Sequence, residues 1–168
     1  MKTVLLARGM FESPDPEAAE LQLLPKAGSA VHAVRAAFDK GADRVVSTSA
    51  PLSAIDLREG LGQMVGAEAV AWLDPRPLGP SHPKVQDLLE PLRAPRVLAI
   101  GMWRHAFEAL HDVGELRDPR ALSVHLMVKA RRAGLEVRTV KSEASPGWYG
   151  GQGVAILKGW VAAWFSKR

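Results

Sequence analysis

The chain has 168 residues, 47% of them hydrophobic and 24% charged, which is the balance of an ordinary water-soluble globular protein of about one domain. Cysteine is absent, excluding disulfides, thiolate metal sites and a cysteine nucleophile. The net charge of +4 invites a nucleic-acid partner, yet the basic residues are spread out, dense only at Lys129, Arg131, Arg132 and at Lys167, Arg168. Few aromatics stand beside them to stack on bases, so nucleic acid is disfavoured. No apolar run approaches the ~18 residues of a membrane span, and the N-terminus lacks the layout of a signal peptide. The expectation is a cytoplasmic protein with no membrane partner, forming a single domain over residues 1–168.

Thr3 to Ala7 is an apolar run broken at once by Arg8 and Gly9, the pattern of a strand buried on both faces. Phe11 to Pro25 reads as a linker, with a short helix over Glu17 to Leu24. A firmer helix runs to Lys40 on Val31, Val34 and Phe38, and Gly41 stops it. Asp43 to Ser47 is a second strand, and the hydroxyl-rich loop Ser47-Thr-Ser49 leads to Pro51. Ser53 caps the next helix with Asp56 three residues on, and its apolar stripe is Leu57, Leu61, Met64 and Val65. Ala67 to Leu73 is a third strand. Pro83 opens a helix through Val85, Leu88, Leu89 and Leu92, and Arg96 to Gly101 is a fourth strand.

A short helix comes next, from Trp103 to Val113. Asp118-Pro119 opens another, ending at Ala133 before Gly134. Leu135 to Lys141 is the fifth strand, and Val154 to Ser166 the last helix. Leu157, Trp160, Val161, Trp164 and Phe165 form a wide stripe on it, read first as core and second as a homodimer contact. Strands alternating with helices at this spacing predict a three-layer α/β/α sandwich: a mostly parallel sheet of about five strands with helices on both faces.

Four segments carry a resemblance. Ala7-Arg-Gly-Met10, Leu23-Leu-Pro-Lys-Ala-Gly28, Ser47-Thr-Ser-Ala-Pro-Leu-Ser-Ala54 and Ala99-Ile-Gly-Met102 stand where the histidine phosphatase superfamily has its motifs. Phosphoglycerate mutases and phosphohistidine phosphatases belong to that family. The resemblance covers about Lys2 to Leu110. It implies a nucleophilic histidine where this chain has Gly9, and a second histidine where it has Met102. The arginine implied after Leu52 is Ser53 or Ala54, so only Arg8 remains. Glycine has no side chain to attack phosphorus, and a thioether cannot donate to an oxyanion.

The resemblance therefore implies a degenerate, non-catalytic member without a cofactor. It would keep a phosphate-containing or other small anionic ligand on Arg8, Gly9, Ser47, Ser49 and Arg104. An alternative keeps phosphatase activity through His105 and Arg8. A second alternative uses the glycine-rich stretch 145–153 for a nucleotide phosphate. His32, His111 and His125 read as solvated helix residues and His82 as a loop residue. No spacing points to a metal.

Overall fold

The computed structural model describes residues 1–8, 15–24, 28–75, 96–142 and 152–166. Among the described residues six strands form one sheet in the order β2-β1-β3-β5-β4-β6. They are β1 (Thr3–Arg8), β2 (Glu20–Leu24), β3 (Arg44–Thr48), β4 (Ala69–Leu73), β5 (Val97–Trp103) and β6 (Val137–Lys141). Five run parallel, and β5 is reversed between β3 and β4. The expected mostly parallel α/β sandwich is therefore present, with one strand more than its sequence pattern predicts.

The extra strand is β2, where the leucines of Glu17 to Leu24 fit a helical turn as well as a strand. Its five residues pair with the open edge of β1, Val4 opposite Glu20 through Arg8 opposite Leu24. A helix so short is marginal in water, whereas the ladder satisfies its backbone groups at once. Only Leu24 of β2 is buried, the others being half-buried or exposed, as suits an edge strand. In contrast, Val4, Leu5, Leu6 and Ala7 of β1 are all buried, as a strand covered on both faces requires.

Alternation along the strands divides the core in two. Val4, Leu6 and Val45 face α1 (Ala30–Asp39), which contributes Val31, Val34 and Phe38. The same face carries α3 (Arg104–Ala109) and α4 (Pro119–Arg132). Leu5, Val46, Val70, Trp72 and Leu98 face α2 (Ala54–Gln63) through Leu57 and Leu61. The last helix, α5 (Gln152–Phe165), packs on α4 and forms an outer layer. Gly41 ends α1 with φ of +90°, the left-handed region that glycine enters without steric cost.

Burial corrects two expectations on α2 and α4. Val65 is 81% exposed, because α2 gives way to a 3₁₀ turn over Met64–Gly66. That tighter winding carries Val65 off the buried stripe while leaving Met64 on it. His125 is 1% exposed. It belongs to α4, whose residues from Ala121 to Met127 are all buried because the helix lies between the sheet and α5. Pro83 to Leu92, expected as a helix, lies outside the described residues.

Candidate functional site

The parallel strands carry the chain away from their carboxyl ends on one edge of the sheet. From β1 the chain moves to β2 on one side, then returns past β1 to β3 on the other. The junction between β1 and β3 is thus a point where strand order reverses, the place where open α/β sheets bind ligands. Arg8 ends β1 there and is partly exposed. Its Nη2 donates to the carbonyl of Gly28 at 2.9 Å and to that of Arg117 at 2.8 Å.

Those two acceptors immediately precede two helix caps. Ser29 caps α1 by accepting from the His32 N–H, and Asp118 caps α4 by accepting from the Arg120 N–H at 2.9 Å. One guanidinium therefore ties together the starts of both helices, whose free N–H groups and dipoles favour negative charge. Asp118 supplies part of that charge. Burial works against its ionisation, but hydrogen bonds and charge from Arg120, with a further contribution from Arg8, hold its carboxyl below the usual carboxylate range. The Arg120 Nη2 lies 2.8 Å from Asp118 Oδ2.

Ser47 lies on the same face as Arg8, one strand away, with Leu6 as its register partner. It is 1% exposed. The Ser123 hydroxyl, with a single proton to give, lies 2.9 Å from the Pro119 carbonyl and 3.4 Å from that of Ser47, and the shorter contact takes it. The Ser47 Oγ itself is buried without a hydrogen-bond partner among the described residues, and so is the Arg8 Nε.

The other hydroxyls of this loop serve the backbone. Thr48 bonds to both backbone groups of Ala50, and the Ser49 hydroxyl donates to the Leu98 carbonyl at 2.8 Å. Further along the edge, Asp74 at the end of β4 pairs with Arg96 at the start of β5, 3.8 Å apart and nearly fully buried. Sequence reasoning misses this pair, because a reversed β5 is what brings the two residues to one edge.

Met102, Arg104 and His105 stand at the opposite edge. The antiparallel register sets Met102 against Val45 and Ala99 against Thr48. The end of β5 thus lies about 13 Å, the length of β3, from the carboxyl edge. The Arg104 guanidinium is spent on the carbonyls of Phe38 and Ala42 at the end of α1, a favourable position for a cation. His105 is exposed and lines an open groove with Met1, Asp43, Trp103, Arg104 and Glu108. This is not a histidine-phosphatase site.

The expected set is split accordingly. Arg8, Ser47 and Ser49 share the carboxyl edge, while Arg104 and His105 belong to the other end of the sheet. A phosphatase using Arg8 with His105 would need to act across the whole sheet. Gly9 and the stretch 145–151 lie outside the described residues, as does His82. His32 and His111 are exposed, as expected. Among the described residues no three His, Asp or Glu side chains converge as a metal site would require.

No protein-family model matches the chain, and no curated protein does. Among solved structures the chain is similar to a Desulfovibrio desulfuricans G20 protein provisionally described as a nucleotide-diphospho-sugar transferase. Identity is 14%, the match covers 84% of this chain and 80% of that one, and the TM-score is 0.45. That protein's description is of a transferase, not of a histidine phosphatase or phosphoglycerate mutase. A likeness this loose transfers neither residues nor activity. The histidine-phosphatase reading, active or degenerate, is corrected by the reversal of β5. Motifs similar in order along the chain end at opposite edges of the sheet.

Proposed function

We propose that this chain binds a small anionic molecule at the junction between the ends of β1 and β3, with Ser47 and Arg8 as its donors. The observation that carries the proposal is the pair of buried donors, Ser47 Oγ and Arg8 Nε, left without partners on one face of neighbouring strands. Buried polar groups are normally satisfied, and an unpaired one costs about 1–3 kcal/mol. A ligand oxygen accepting from either donor would remove that atom's cost. The surroundings favour negative charge: the starts of α1 and α4 meet here, tied together by the Arg8 guanidinium. Ser49, Arg104 and His105 are not part of this site.

Thermal unfolding with inorganic phosphate, sulfate and a nucleoside diphosphate, each against chloride at equal ionic strength, tests the proposal. At least one anion raises the Tm above the chloride control. Ser47→Ala weakens that rise while leaving the ligand-free Tm unchanged or higher, since it deletes an unpaired hydroxyl. No rise above chloride, or an undiminished rise in Ser47→Ala, overturns the assignment.

A further inference from the structure

The last helix is apolar on the side that faces away from the protein. Its inner side, Ala155, Ile156 and Ala163, is buried against α4. Its outer side carries Val154, Val161, Trp164 and Phe165, which are 48%, 37%, 49% and 86% exposed. At ~100° per residue these four side chains span an arc of roughly 100°. A helix solvated on that side would carry polar residues there. Of the stripe expected as core, Leu157 and Trp160 pack against it, but Val161, Trp164 and Phe165 are exposed because α5 is the outermost layer, and nothing among the described residues covers them.

Charge decides what fits. Residues 144–168 contain no Asp or Glu, so the face has no anion of its own. Lys158 borders the arc and is exposed. Across the seam with α4, Arg131 is exposed, and the Arg132 guanidinium lies 4.6 Å from the centre of the Trp164 ring. Trp160 packs beside Trp164, ring centres 5.6 Å apart.

We propose that the outer face of α5 docks on an anionic lipid bilayer, lying in the plane of the interface. Fourteen residues make a helix of about 21 Å, too short for a ~30 Å hydrocarbon core, and no helix among the described residues is long and apolar enough to cross a membrane. Tryptophan and phenylalanine with aliphatic neighbours, bordered by lysine and arginine, are the side chains that hold such a helix at the headgroup boundary. The cations answer the negative surface potential of anionic lipid. A second copy fits less well. A two-fold contact through this face would bring its cations against their own copies, with no carboxylate on α5 to answer them.

Flotation of the full-length protein with vesicles tests the proposal. Mixed phosphatidylglycerol–phosphatidylcholine vesicles should carry the protein about tenfold more strongly than phosphatidylcholine alone, with a blue shift of tryptophan emission and partial release by salt. The double variant Val161→Ser, Phe165→Ser changes exposed side chains, so it should keep the wild-type Tm and near-ultraviolet circular dichroism while losing most of the vesicle binding. Equal binding to both vesicle types, or none, overturns the proposal. Undiminished binding by a folded double variant also overturns it, placing the contact elsewhere. Concentration-dependent dimerisation that the variant abolishes, without vesicle binding, gives the face to a second copy instead.

Discussion

Gly159 of α5 lies directly against Ala121 of α4: a Cβ on Gly159 would fall 2.2 Å from the Ala121 carbonyl oxygen. The crossing of these two helices therefore depends on the absence of one methyl group. Alanine in a helix interior is ordinarily better than glycine by about 1 kcal/mol. Here overpacking against backbone, typically about 1–3 kcal/mol, opposes that gain, and a carbonyl cannot swing aside as a side chain can. Gly159→Ala should lower stability by up to about 2 kcal/mol in urea unfolding, the net of these two effects. A higher unfolding midpoint would show that α5 is free to move off α4.

Gly60 plays the same part on the other face. A Cβ there would meet Trp72 Cζ2 at 2.1 Å. Trp72 is fully buried, and its indole N–H donates to the Asp56 carbonyl at 2.7 Å, so the ring is held from two sides. Gly60→Ala should cost up to about 2 kcal/mol once the helix gain of alanine is subtracted, and the near-ultraviolet signal of Trp72 should change with it. An unchanged signal with unchanged stability would mean that the ring has room to retreat.

His125 should make the protein sensitive to mild acid. Burial lowers its pKa to about 4, helped by the nearby Lys129 charge and opposed by the Gly159 backbone and by Asp112. The folded state holds the ring neutral, while the unfolded state takes a proton near the ordinary value of 6.5. The contribution is fully present above pH 6.5, is lost as pH falls towards 4 and levels off below. From 6.5 to about 4 the loss is on the order of 3 kcal/mol. His125→Met should flatten stability against pH across that window. An equally steep profile in the variant would assign the acid sensitivity to other groups.

Arg8 should matter to stability whether or not a ligand is present. Replacing it by Met removes both carbonyl contacts, at Gly28 and Arg117, and should cost about 2 kcal/mol, the scale of a hydrogen bond from a charged donor. Arg8→Lys keeps the charge without the planar fork, so it should restore part of the loss. A loss below about 0.5 kcal/mol in Arg8→Met would mean that the two caps hold their places unaided.

Much of the architecture was legible residue by residue. The stops at Gly41 and Gly134, the caps Ser53 and Asp118, and the apolar runs of β1 and β5 all lie where local rules place them. These are short-range effects: a cap reaches two or three residues, and a buried strand is an unbroken apolar run. The candidate site was only half legible. Arg8 and Ser47 could be named from their positions at strand ends, but not Asp118, whose capping role says nothing about a strand more than a hundred residues earlier.

Strand direction was the decisive unknown. The run from Val97 to Trp103 is equally apolar whichever way it points, since burial on both faces has no polarity along the chain. Its reversal beside β3 carried Met102, Arg104 and His105 to the far edge and brought Arg96 to Asp74. Composition and periodicity were enough for the layers and most of the element ends. Which ends meet was settled by pairing between distant segments, because hydrogen-bond register and direction belong to the pair of strands and to neither sequence alone.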